Sequence, residues 1–258
     1  VLISSGSIER PIVFGNNDTP GVVLSSAAKE FMKVYGVLVG KKPLIFTNND
    51  SAYETAIEFK KNGVEPIVLD TRENPDSELV NQAQNLNIEI KFSHVVVTAK
   101  GYKKVKSADI ASISKNKKDL GIIQNIKCDC ICVSGFWTPT IHLASQSGGK
   151  TKFIEEIDAF IPTDSKQNET TLGSANGIFN LEETIKNSIE KSFEISNKIT
   201  SKNQKISVPQ VSEQKHSKHD KFWCVPLPKE KKYKRFLDFQ NDVTVTDVEL
   251  ALREGYRS

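Results

Sequence analysis

PLIFTNNDSAYETAIEFKKNGVEPIVLD, residues 43–70, decides the fold. Residues 44–47 are short and apolar enough for a buried strand, 51–62 carry Ala52, Ala56 and Phe59 at helical spacing, and 67–69 form the next strand. Gly63 ends the helix where a left-handed residue is cheapest. Asp70 then follows about twenty residues after the turn, where a dinucleotide-binding βαβ unit keeps its ribose-binding carboxylate.

The rhythm is that of a nucleotide-binding unit, but the glycines are missing. In G-x-G-x-x-G/A the first glycine makes the tight turn and the second lets backbone approach a pyrophosphate. Laid over that pattern, TNNDSA puts Thr47 and Asn49 on those two glycines, and only Ala52 suits the third position. The Asn49 side chain fills space that a pyrophosphate needs. Asp50 sets a negative charge at the helix N-terminus, where an anion would sit. The unit therefore reads as a scaffold that has lost its own nucleotide.

A chain of 258 residues with 38% hydrophobic content suffices for one large core or two lobes, and two are expected. Its 35 basic and 32 acidic residues leave a net charge of +3, which gives no bulk electrostatic case for nucleic acid. The basic clusters 115–118 and 229–235 read as solvated surface. No apolar run has the length of a membrane span and no signal peptide opens the chain, so a cytoplasmic protein is expected. Cys128, Cys130 and Cys132 alternate in KCDCICV, a spacing that places all three on one face of a buried strand and suits core packing better than metal chelation. No metal site is expected: Cys224 stands alone, and His216 and His219 lie among lysines in a polar stretch.

Along the chain, 1–22 read as a buried strand followed by a turn and a crossing segment, 25–35 as a helix and 77–86 as another. Residues 88–92 and 94–99 read as an antiparallel excursion, 129–134 as a buried strand, 152–161 as β material, and 181–197 as a helix. Residues 198–235 form a polar linker or loop, and 236–258 a small helical segment. A core strand at the first residue suggests an internal piece of a longer polypeptide.

No acid, base or nucleophile constellation stands out. His142 lies near Ser145 and Ser147, but no spaced acid completes a triad, and His94 has no evident partner. The best ligand candidate is LGSANGIFNL, residues 172–181, whose small residues before a helix let backbone approach a phosphate; an ordinary capped loop fits the same pattern.

The ordered series SSGSIERPIVFGNNDTPGV, FTNNDSAYETA, VSGFWTPTIHLASQSGGK, GSANGIF and DFQNDVTVTDVELALREGYRS resembles the central part of the α-subunit family of heterotetrameric sarcosine oxidases. More broadly it is similar to the α/β, Rossmann-like two-dinucleotide-binding-domain fold of the glutathione reductase superfamily, here incomplete at both ends. SSG at 4–6 takes the place of that superfamily's ATG turn, and GSANG at 173–177 that of its G-D motif. The resemblance implies an outer, NAD-holding domain from 1–39 and 138–197, an inserted domain at 40–137, and a folate-binding domain beyond residue 258. It implies NAD contacts at Gly173, Ser174, Ala175, Phe179 and Leu181, with no catalytic residue in this segment. Ser174 stands where alanine is common in the family, and Phe136 where SGGW has glycine. The implied partners are β, γ and δ subunits, with FAD in β, FMN at the α/β interface and tetrahydrofolate in the C-terminal domain. The implied reaction is oxidation of sarcosine to glycine with formation of hydrogen peroxide. Two other functions suit the same residues: the α-type subunit of a proline, opine or N-methylglutamate dehydrogenase, and a non-catalytic assembly module.

Overall fold

A computed structural model describes residues 1–200, 207–209, 211, 215, 217–228 and 231–257. They divide into two compact units, the first made of Val1–Glu9 and Trp137–Gln214, the second of Arg10–Phe136 and Lys215–Ser258. The first unit opens with β1 (Leu2–Ile3) and β2 (Ser7–Glu9). The second contains β3 (Val22–Leu24), α1 (Ser25–Tyr35), β4 (Pro43–Thr47), α2 (Ser51–Lys61), β5 (Ile67–Asp70), α3 (Glu78–Asn85), β6 (Glu89–Phe92), β7 (His94–Lys100), β8 (Ser107–Ser112), β9 (Gln124–Lys127) and β10 (Cys130–Ser134). The first unit resumes with β11 (Trp137–Pro139), α4 (His142–Gln146), β12 (Thr151–Ile154), β13 (Ala159–Pro162), β14 (Thr170–Thr171) and α5 (Leu181–Thr200). The second unit closes with β15 (Phe236–Asp238), β16 (Val243–Thr244) and α6 (Val245–Arg253).

The second unit is built on a five-stranded parallel sheet of order β3-β10-β4-β5-β6. Successive side chains of a strand point to opposite faces, so a run buried throughout needs two cores. Leu44, Phe46, Leu69, Ile131 and Val133 join one cluster with Val95, Val97 and Ile110 of the antiparallel sheet β7-β8-β9. Ile45, Val68, Cys130 and Cys132 join the other with Ala28 and Met32 of α1, Ala52, Ala56 and Phe59 of α2, and Val80 and Ala83 of α3. Helices cover one face of the sheet and a second sheet covers the other. Each fully buried Leu, Ile or Phe contributes about 1.5–3 kcal/mol. The sheet order reverses between β4 and β10, and the crevice at such a switch point, outside the carboxyl ends of the strands, is where these folds take ligands.

Several sequence expectations change here. β6 does not pair with β7: it lies parallel to β5, and β7 pairs antiparallel with β8. One residue, Ser93 at φ 51°, separates β6 from β7, too little for a hairpin loop, which needs at least two. Cys130 and Cys132 share a face, whereas Cys128 precedes the strand and packs in the opposite cluster. Only Ile3 of β1 is buried, while Val1 and Leu2 are exposed. Residues 10–39 pack with the second unit, because β3 pairs with β10 and α1 covers the sheet's helical face. Within 198–235, Phe222 and Val225 are buried in a core cluster, which fixes residues 217–228 as something other than a free linker. Residues 236–258 contain a short hairpin, β15-β16, as well as α6.

Candidate functional site

In the first unit two glycine turns meet. β1 and β14 run parallel, with Leu2 opposite Thr170 and Ile3 opposite Thr171. The Leu172 N–H donates to Ile3 O at 2.9 Å. Both strands end side by side, β1 leading into Ser4, Ser5 and Gly6, β14 into a 3-10 turn over Gly173–Asn176. Gly6, Gly173 and Gly177 have φ of +77°, +61° and +76°, the left-handed region that glycine enters at least cost. At Gly177 a Cβ would also lie 2.8 Å from Ile157 Cδ1, so no larger residue fits without displacement.

The five candidate contacts do not present themselves equally. Gly173 and the fully buried Ala175 shape the turn from inside, Ser174 and Phe179 are half-buried, and Leu181 is 64% exposed. The N-terminus of α5 is already served, since Asn180 Oδ1 accepts the Glu183 N–H at 3.1 Å and Glu182 and Glu183 occupy its first turn. A phosphate is disfavoured there. Beside the turn lies a cavity of about 370 Å³ lined by Glu169, Thr170, Thr171, Asn176, Asn187 and Lys191, among others. Asn187 Oδ1 is buried and accepts no hydrogen bond among the described residues. A buried amide oxygen without a donor costs about 1–3 kcal/mol, and a ligand hydroxyl or amine would relieve it. The cavity and its orphaned acceptor suit a polar ligand, and none of the five candidate contacts lines it.

The switch point of the second unit is filled from within. Asn49 Nδ2 donates to Ser134 O and Oγ across the β4-β10 gap, and its Oδ1 accepts from Ser51 N and Oγ. The Asp70 carboxylate accepts from Tyr53 Oη at 2.7 Å and from Arg72 Nη2 at 2.8 Å. Arg72 Nη1 reaches Asp50 Oδ1 at 2.8 Å, and all three charged side chains are nearly inaccessible. Burial works against the Arg72 charge, but Asp70 and then Asp50 outweigh it and hold the guanidinium above its ordinary range. Burial, reinforced by Asp70, pushes the Tyr53 phenol upward too, so it stays a neutral donor. Over this cluster runs a strap, residues 217–225. Ser217 N donates to Asp50 Oδ2 at 2.7 Å, Asp220 N to Asn48 O at 2.8 Å, and Asn48 Nδ2 to Asp220 O at 2.8 Å. Thr71 Oγ1 donates to Asp220 Oδ2 at 3.0 Å, and Lys117 pairs with the same oxygen at 2.6 Å. The His219 ring stacks on Phe136 at 3.9 Å, and the Arg10 guanidinium lies 3.6 Å over the Trp223 ring. Sequence reading picked out Asn49, Asp50 and Asp70 but missed Arg72 and the strap, whose only signal was Phe222-Trp223 and Val225 among polar residues.

His94 Nδ1 lies 2.6 Å from Phe92 O, and His142 is exposed on α4. Ser147 Oγ donates to Ala144 O and to Glu169. Burial, then Cys130 and Asp129, push the Cys128 thiol up to about 12, which suits an inert core residue. His216 lies outside the described residues, and among those described no group of three or more His, Cys, Asp or Glu could hold a metal ion. No helix among them is long and apolar enough to cross a membrane.

Comparison with known proteins joins these features. Residues 232–258 match the sarcosine oxidase A3 domain family. Sarcosine oxidase subunit alpha of Rhizobium meliloti (strain 1021) is 31% identical over 257 residues, covering 99% of this chain and 24% of that protein. The chain thus spans about a quarter of the length of the curated relative it matches. Among solved structures, L-proline dehydrogenase from P. horikoshii aligns with 99% of this chain and 46% of its own at a TM-score of 0.57 and 19% identity. Thioredoxin reductase of T. acidophilum aligns with 69% of this chain and 58% of its own at a TM-score of 0.54 and 16% identity. At such identities these two speak for the fold alone, and they agree with the α/β two-dinucleotide-domain expectation. The resemblance carried by the motif series is borne out: the similarity to sarcosine oxidase subunit alpha runs over 99% of this chain.

Proposed function

We infer that the chain is part of an oxidoreductase subunit of the sarcosine oxidase α type, whose first unit holds NAD and whose second unit is a scaffold. The observation that carries this reading is the parallel pairing of β1 with β14, which sets the turns at 4–6 and 173–177 together at the carboxyl end of both strands. Gly173, Ser174 and Ala175 would hold the backbone open to the dinucleotide, Phe179 and Leu181 would flank it, and Asn187 Oδ1 would accept from one of its hydroxyls. NAD supplies hydride chemistry where a substrate can reach it, whereas here the chain's own residues bind and orient it and move no proton. In the whole complex, FAD in a β subunit would oxidise sarcosine, FMN at the α/β interface would pass electrons to oxygen, and γ and δ subunits would complete a cytoplasmic heterotetramer. The methyl carbon would leave as formaldehyde or, with tetrahydrofolate bound in a further domain, as methylenetetrahydrofolate.

NAD released on denaturing the intact α-type subunit tests the assignment. Stoichiometric release is expected, with loss in Ser174→Trp and retention in Lys115→Ala, whose side chain is exposed on the second unit. A subunit purified without NAD that still assembles with its partners would favour the assembly module. The 258-residue chain alone, given free FAD and FMN, should form no peroxide from sarcosine. A dehydrogenase subunit of the α type is the second reading, since the same fold accommodates it; reduction of a dye acceptor by the complex without oxygen consumption would establish it.

A further inference from the structure

We propose that the dinucleotide crevice of the second unit is permanently occupied by a segment of its own chain, residues 217–225, which acts as an internal plug in the place of a nucleotide. The inference concerns the second unit only and stands whether or not the first unit holds NAD. A nucleotide at a switch point needs three things: glycine backbone for the pyrophosphate, a free helix N-terminus for its charge and a free carboxylate for the ribose. Each is taken here by a protein group. Asn48 exchanges two hydrogen bonds with Asp220 of the strap, so strap backbone lies against the turn that glycines would have opened. Asp50, the residue just before α2, accepts the Ser217 N–H at 2.7 Å, and an anion brought there would meet its charge. The carboxylate of Asp70 is spent on Tyr53 and Arg72, and Arg72 Nη1 also donates to Lys218 O at 3.3 Å.

The aromatic contacts close the same gap from the β10 side. Phe136, at φ 80°, follows the carboxyl end of β10 and stacks flat on His219 with 6° between the ring planes. Further along, Val13 N–H donates to Trp223 O and Val225 N–H to Val13 O, both at 2.8 Å, which ties the strap to a core segment of the unit. Phe222 and Val225 are buried in the sheet's own hydrophobic cluster. A lid that opens for ligand would lie on the surface with few buried apolar contacts, whereas this strap is anchored in the core by Phe222 and Val225, directly after its polar contacts.

Hydrogen exchange on the intact polypeptide, with and without millimolar NAD as the probe, tests the plug. The amides of Ser217, Asp220 and Val225 should be protected in the absence of any nucleotide, and NAD should change protection neither there nor at residues 47–52. In Phe136→Gly combined with Asn48→Gly, exchange across 217–223 should rise at least tenfold while β4 stays protected. Strap amides that exchange like a free loop in the unaltered protein would overturn the proposal. So would NAD that deprotects 217–223 while protecting 47–52, because the strap would then be a lid over a working site.

Discussion

Arg72 holds together a buried set of charges. Its guanidinium joins Asp50 and Asp70, residues that the parallel register of β4 and β5 sets side by side by placing Thr47 opposite Asp70. Breaking such a buried set by removing one partner costs about 3–5 kcal/mol, because the remaining charges are left desolvated and unpaired. Against a total stability of roughly 5–15 kcal/mol that is a large share. Arg72→Met should therefore lower the urea midpoint severely, and adding Asp50→Asn and Asp70→Asn should recover much of the loss. A mild effect of the single change would show that water reaches the carboxylates. Phe136 is under backbone tension, since a bulky side chain at positive φ costs about 1–3 kcal/mol, offset here by its stack on His219. Asn49 and Asp50 were legible as obstacles in the sequence because the glycine pattern has fixed spacing. Arg72 was not, since its role depends on two strands lying in register.

At the scale of elements, strand and helix identities followed from periodicity, and α1 runs from Ser25 to Tyr35 as its spacing indicated. The pairing of β6 did not follow, because an apolar run before a one-residue break reads the same whether it joins a hairpin or a parallel sheet. The pairing of β7 with β8 has a polar lock that can be weighed. Asp109, its side chain almost wholly buried, accepts from Lys100 Nζ at 2.7 Å and from Asn125 Nδ2 at 3.0 Å. Burial works against its charge, but the bonds from Lys100 and Asn125 prevail and hold the carboxyl below its usual range. A carboxylate with a depressed folded pKa adds stability that is fully present above the unfolded value, about 3.9, and is lost as pH falls through the folded one. Asp109→Asn should thus cost about 1–2 kcal/mol at pH 7, and the gap between variant and parent should close on acidification well below pH 4. Urea titrations at neutral and acid pH give both numbers; a gap that persists in acid would assign the cost to packing rather than to charge.

For the whole molecule, the polar composition of 198–235 concealed that part of it is structural: two apolar residues, Phe222 and Val225, are enough to bury a strap that its lysines and serines disguise. The same distinction between composition and geometry applies to the segment matching the A3 domain family. If the complex delivered electrons through an iron-sulfur cluster, this segment would need four thiolates. Residues 236–258 contain no cysteine. Asp238 is committed to a turn. Its Oδ1 accepts from the backbone N–H of Gln240 at 2.8 Å and of Asn241 at 3.2 Å, and its Oδ2 from Asn241 Nδ2 at 2.6 Å. Those bonds, the one from the Asn241 side chain foremost, hold the carboxyl below its usual range and close the β15-β16 hairpin. Nor do the chain's thiols supply a set, since Cys128, Cys130 and Cys132 are buried and divided between the two faces of the sheet. Anaerobic reconstitution of the intact subunit with iron and sulfide, then electron paramagnetic resonance after reduction, should show no cluster signal that depends on residues 236–258. A signal lost on altering this segment alone would refute the claim and favour the dehydrogenase reading.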